Sequence, residues 1–300
     1  MPLHGPENML LLDIIQFLPL TELFVATVFC GLILGTVVLV SVRLVLRAFK
    51  VDPKQGLPVR ESLIGGLTGM FAIMVAFSAA GIWTDDIRAR EAVQREANAL
   101  ENAVALASYL PDELREELRN KVLLFGQRII EEDWPAMQRR VRPNEQLFPR
   151  LDNSPVVSLI EQLSSGSGGS AVGPSRDMLI GQLMELRNAR LQREMIASSG
   201  VSPAQWLALV LIPTAALTLI ILAYSHDFRW QLTAGGIYTL AVCSALFVIL
   251  AHDHPFIGYL GIKPTPIERA MERIRLAAGK AEYMPPSPAD SLVLKNARVR

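Results

Sequence analysis

From Ser62 to Thr84 the chain reads SLIGGLTGMFAIMVAFSAAGIWT, 23 residues without a charged side chain. A hydrocarbon core about 30 Å thick calls for roughly 20 apolar residues as a helix, so this run has the length of one membrane crossing. Asp85, Asp86, Arg88 and Arg90 follow at once, yet none of them stops a helix. Between Ile82 and Leu110 there is neither Gly nor Pro, and Ala, Glu, Arg, Leu and Gln, all good helix formers, predominate. Glu91 and Arg95 stand four apart in the favourable order. The pattern predicts one helix that leaves the membrane and continues into water, about 70 Å long at 1.5 Å per residue. A pore, a bundle or a signalling stalk could be built on such a helix.

Three further uncharged runs complete four expected spans: Leu23–Val42, Trp206–Ser225 and Leu232–Ala251. Thr21 is placed to cap the first, with Glu22 at the positive end of its dipole. Upstream, Met9–Leu18 is apolar but too short to cross, and Pro19 stops it, so residues 1–22 are expected to hold an interfacial helix. Arg43, Arg47, Lys50, Lys54 and Arg60 make the connection to the second span basic. Trp206 and Tyr224 suit the interfaces of the third span, and Pro213 predicts a kink near its middle. Only His226–Gln231 separates the third span from the fourth, which implies a tight antiparallel hairpin.

Residues 85–202, between the second and third spans, read as a helical soluble domain. Pro111, Asp112 and Glu113 restart the chain with Pro in a first turn and two acids at the dipole's positive end. Leu114, Leu118, Phe125 and Ile129 then recur at helical spacing, and Trp134-Pro135 is expected to end that helix. Residues 136–153 read as loop, and Ser154-Pro155 as the start of a short helix through Leu163. Ser164–Ser175 is a Gly/Ser linker. Ser175 would cap a further helix carrying Met178, Leu179, Leu183, Leu186 and Ile196, closed by Gly200. No alternating strand pattern interrupts these segments. Beyond the fourth span, residues 252–300 divide into an amphipathic helix over Pro264–Lys280 and a Pro-rich, disordered end. That helix would lie on the membrane surface or on the soluble bundle.

Composition agrees with a membrane-embedded chain: 51% of the 300 residues are hydrophobic and the mean hydropathy is +0.31. The formal net charge is zero, and no basic patch interleaved with aromatics favours nucleic acid. Cys30 and Cys243 both fall inside apolar runs, so no disulfide framework is expected. No Lys or Arg precedes Arg43, so a signal peptide's basic n-region is missing. No G-x-S-x-G, P-loop or H-E-x-x-H occurs, and no cofactor is implied. The spans contain no Asp, Glu, Lys or Arg, which argues against a proton-coupled transporter. An enzyme is not expected.

The second span followed by REAVQREANALENAVALASYLPDELREELRNKVLLFGQRIIEEDWPAM, then ELRNARLQREMIASSGVSPAQWLALVLIP, then Asp253-His254-Pro255-Phe256-x-Gly258, form a fairly specific order of blocks. Over roughly residues 60–270 this order resembles the bacterial bestrophin-like domain family, a family with no function of its own assigned. Through it the chain is distantly similar to true bestrophins, pentameric anion channels with a four-span subunit and a cytosolic helical domain. The resemblance implies a bestrophin-like, all-α integral membrane protein, a homo-oligomer in a cell membrane (the inner one in a Gram-negative cell), and inorganic ions as the molecules handled. It also implies a cytoplasmic soluble domain. The four basic residues just after the first span favour instead an N-terminus, and with it that domain, on the outside.

Two faces of the second span are distinguished by 3.6-residue spacing. Gly65, Gly69, Ala72, Ala76 and Ala79/Ala80 make one stripe, small enough for another helix to approach closely. Met70, Met74, Phe77 and Gly81 make another. Bestrophins line their neck with bulky apolar residues of the second span, and a hydrophobic constriction gates by dewetting. By that resemblance Met70, Met74, Phe77 and Gly81 are the candidate neck; contact with lipid or a neighbouring helix is the alternative. Asp85, Asp86, Arg88 and Arg90 would ring the exit if several subunits surround an axis, or would simply anchor the span at the interface. His252, Asp253 and His254 invite a metal reading. Alternate residues at a helix end point apart, however, and a polar cap before a Pro turn is favoured. Two functions remain: an oligomeric ion channel, or a non-conducting scaffold or sensor acting through the soluble domain.

Overall fold

The computed structural model describes residues 19–49, 57–138, 155–164 and 173–282, and every regular element among them is helical. In chain order these are α1 (Leu20–Phe49), α2 (Leu57–Ala107), α3 (Asp112–Arg128), a π-helical turn (Ile129–Asp133), α4 (Trp134–Gln138), α5 (Pro155–Ser164), α6 (Gly173–Ala197), α7 (Pro203–Ala223), α8 (Phe228–His252) and α9 (Thr265–Glu282). α1, α2, α7 and α8 are long and apolar enough to cross a membrane. α2 has 51 residues, roughly 75 Å at 1.5 Å each, and crosses the charges at Asp85–Arg90 without a break. The expected interfacial helix at Met9–Leu18, most of the basic connection, the centre of the Gly/Ser linker, most of the loop at 136–153 and the C-terminal end lie outside the described residues.

The chain groups into two compact units. One is drawn from Met1–Glu91, Ala136–Arg142 and Arg193–Lys263 and contains the four spans. Phe71 and Ile82 of α2 pack with Leu209 of α7 and Ile249 of α8. Val42 of α1 packs with Leu217 and Ile221 of α7. α1 and α8 meet so closely that a Cβ at Gly31 would overlap the sulfur of Cys243, as small residues allow within a membrane. The α7 start is a full capping box, Ser202 and Gln205 each bonding the other's backbone N–H, with Pro203 in the first turn. At the other end Asp227 caps α8. There Gln231, buried, donates to the Ile221 carbonyl at 2.8 Å and accepts from Arg43 at 2.9 Å. The Arg43 guanidinium lies 4.5 Å from the Phe228 ring centroid. The first basic residue after span one therefore locks α1 to the α7–α8 hairpin.

The other unit is drawn from Ala92–Pro135, Pro143–Gln192 and Pro264–Arg300. Leu100, Leu118, Leu159, Leu183 and Ile267, one from each of its five longer helical segments, are fully buried there. The apolar face of α9 belongs to this core: Ile267, Ala270, Met271 and Ile274 are all buried. The Met271 sulfur would lie 2.8 Å from a Cβ at Gly126 of α3, and Arg273 pairs with Glu101 at 3.0 Å. Of the two expected placements of this helix, the soluble bundle is the one observed.

Trp134-Pro135 does not end the helix that begins at Asp112; helical structure continues to Gln138. The π turn just before it is the physical reason. A proline inside a helix clashes with the carbonyl four residues back, and the wider turn, in which Trp134 N–H bonds the Ile129 carbonyl five residues back, opens that space. The same turn points Asp133 inward, where it pairs with Arg190 at 3.1 Å with both side chains little exposed.

Candidate functional site

The spanning part of α2 has a covered and an uncovered side. Phe71, Ser78 and Ile82 are buried, and Met74 and Val75 are half-buried against the cluster of Leu209 and Ile249. Gly65, Gly69, Ala72, Ala76 and Ala80 are all exposed, with Ala79 at the margin. Among the described residues, a Cβ built at Gly65, Gly66, Gly69 or Gly81 would meet nothing within 4 Å. Met70 is 56% and Phe77 72% exposed. Of the four neck candidates, Met70, Phe77 and Gly81 thus stand uncovered together, and Met74 turns toward the bundle. Ile73, 57% exposed, lies between the two stripes on the uncovered side. The 3.6 period already placed it three residues from Met70 and four from Phe77, a signal the two-stripe division passed over.

The exit charges separate into different environments. Arg90 clasps Asp86 with two hydrogen bonds, 2.9 and 3.2 Å. Asp85 accepts the hydroxyl of Ser199 at 3.0 Å. Arg88 is exposed. Within one protomer these side chains finish the span and tie it to the residues that precede α7.

The end of α8 forms a tight polar turn. Asp253, buried, accepts the backbone N–H of Val201 at 2.7 Å, and the His254 ring packs so near Gly200 that a Cβ there would overlap it. Gly258 has φ 78°, a left-handed conformation that favours glycine. A Cβ at Gly261 would come within 3.0 Å of the Phe256 backbone. His252 contacts the Val248 carbonyl instead. Among the described residues no three His, Cys, Asp or Glu side chains gather as a metal site would require.

Three charged residues that the sequence pattern did not single out are buried: Glu96 and Arg193 fully, Asp133 almost so. Arg193 donates to the Met137 sulfur at 3.2 Å. For Glu96 a signal existed, since Ala89, Val93, Leu100, Ala103 and Ala107 continue its stripe at three- and four-residue steps and all are buried.

α1, α7 and α8 also line an open apolar groove of about 540 Å³, walled by Cys30, Gly31, Trp206, Val210, Thr239 and Val242 among others.

Four apolar helices, the second running on without a break past the charged exit, and a second helical unit define an all-α integral membrane protein with four transmembrane helices and an inserted helical soluble domain. The chain belongs to the Bestrophin-like domain family, whose pattern matches residues 24–267. Crystal structures of a bacterial bestrophin homologue from Klebsiella pneumoniae, each carrying a single substitution, share its fold. One superimposes with a TM-score of 0.61 at 14% identity, covering 85% of this chain and 98% of the other. Another gives 0.59 at 14% identity, over 84% and 99%, and a third 0.58 at 16%, over 84% and 97%. No curated protein matches the chain.

Proposed function

We propose that the chain assembles as a homo-oligomer, a pentamer on the bestrophin pattern, whose α2 helices surround an ion-conducting neck in a cell membrane. One observation carries this most directly: among the described residues, no helix packs on the side of α2 that holds Gly65, Gly69, Ala76, Met70 and Phe77, although that side belongs to an uncharged run long enough to cross a membrane. Family membership supports the same arrangement. In it, Gly65, Gly69, Ala72, Ala76 and Ala80 let neighbouring α2 helices approach closely. Met70, Phe77 and Gly81, with Met74 at the edge, form an apolar constriction that gates by dewetting. Asp85, Asp86, Arg88 and Arg90 ring the exit, inorganic ions are the permeant species, and residues 85–202 form the attached soluble domain.

Mass photometry of the protein in nanodiscs tests the assembly. Particles of several subunits are expected. Strictly monomeric particles in both detergent and nanodiscs would remove the channel and leave a scaffold or sensor acting through the soluble domain.

A further inference from the structure

We propose that the groove between α1, α7 and α8 is an acyl-chain site that holds one hydrocarbon chain of a bilayer lipid. Its walls carry no charged side chain. Of its four hydroxyl-bearing residues, Thr27, Thr214, Tyr238 and Thr239, two are engaged within their own helices: Thr27 donates to the Leu23 carbonyl at 2.8 Å and Thr214 to the Val210 carbonyl at 2.6 Å. A polar ligand would lose its hydration for little return, whereas a hydrocarbon chain loses nothing. Water is a poor filler for the same reason, because a buried water needs several polar partners.

Position selects the bilayer as the source. The walls belong to three membrane-spanning helices, and Leu34, Leu207 and Val210 on the rim are exposed. Ile33 and Leu211, their neighbours along the chain, are exposed as well. The groove is therefore continuous with the apolar surface that these spans leave exposed. Along α7 its wall runs from Pro203 to Leu217, about 21 Å at 1.5 Å per residue. Half of a hydrocarbon core of about 30 Å is about 15 Å, so a chain from one leaflet fits lengthwise. Trp206 stands near the Pro203 end, and tryptophan favours the headgroup level, which marks that end as the entrance.

The test uses full-length protein purified from bilayers and analysed by native mass spectrometry, with Val210→Trp to fill the groove and Leu211→Trp as an outward-facing control. Wild type and Leu211→Trp should retain about one phospholipid per protomer, and Val210→Trp at least fivefold less. A second measurement needs no variant. Alkylation of Cys30 by N-ethylmaleimide, read by peptide mass mapping, should be at least fivefold slower after delipidated protein is returned to phosphatidylcholine vesicles than in a fluorinated surfactant. Equal lipid retention in all three proteins, or equal alkylation in both media, would overturn the proposal. So would Val210→Trp reducing oligomer mass while lipid retention is kept, which would assign the groove to a second copy of the chain.

Discussion

The carboxylate of Asp253 accepts the backbone N–H of Val201 at 2.7 Å, so the residue that ends α8 holds the residue just before the α7 cap. Both ends of the α7–α8 hairpin are thereby fixed, one through Asp253 and the other through Gln231. A charge-assisted bond to a buried carboxylate contributes about 1.5–3 kcal/mol. Asp253→Ala should lower thermal stability in detergent by about that amount. Asp253→Asn, which keeps a carbonyl acceptor, should lose less. Equal losses would mean that the contact is not what stabilises this corner.

At the other corner, Gln231 satisfies a carbonyl in the last turn of α7, where a helix has no internal donor to offer. Gln231→Leu strands both that carbonyl and the Arg43 guanidinium. About 2–4 kcal/mol of destabilisation is expected, from one to two buried polar groups losing their partner. Thermal unfolding of the purified variant measures it, and an unchanged midpoint would rule the lock out.

Two glycines allow a matched comparison. An added methyl at Gly31 meets the sulfur of Cys243, on a short side chain with nowhere to go, whereas one at Gly126 meets the thioether of Met271, which bends readily. Alanine in a helix gains about 0.5–1 kcal/mol over glycine in either case. Overpacking costs about 1–3 kcal/mol where the neighbour cannot yield. Gly31→Ala should therefore be clearly destabilising and Gly126→Ala close to neutral by the same thermal assay.

Which parts of this molecule were legible in advance follows from how each signal is written. The four spans and the unbroken α2 were legible because an uncharged run of 20 or more residues has few alternatives in water. The polar turn at Asp253 was legible only as a break after an uncharged run, because its bond to Val201 reaches a residue 52 positions away that no local pattern names. The continuation past Trp134-Pro135 was not, because a π turn leaves no composition signature and proline ordinarily stops a helix. Burial of Asp133 and Arg193 was hidden for a related reason: a charge on an amphipathic helix reads as solvated until a partner from a distant segment is in place. The direction of Met74, near the border between two faces of α2, depends on a rotation of a few tens of degrees that spacing alone does not fix.

The small-residue stripe yields its own prediction. Gly69→Leu or Ala76→Leu should block close approach of neighbouring α2 helices and reduce the yield of oligomer severalfold. The monomer core should stay intact, because among the described residues nothing lies within 4 Å of a Cβ at Gly69. Size-exclusion profiles in detergent report it; unchanged oligomer in both variants would place the stripe against lipid instead.

Ion flux from purified protein in liposomes tests the conducting neck most directly, with wild type beside Met70→Ala, Met74→Ala and Phe77→Ala. Met70 and Phe77 are uncovered in the protomer, so trimming them should widen and wet the constriction and raise anion or cation flux severalfold above wild type. Met74→Ala, half-turned into the bundle, should raise it less. Flux at the level of empty liposomes in the Met70→Ala and Phe77→Ala proteins, with their oligomers intact, would contradict a pore along this face of α2.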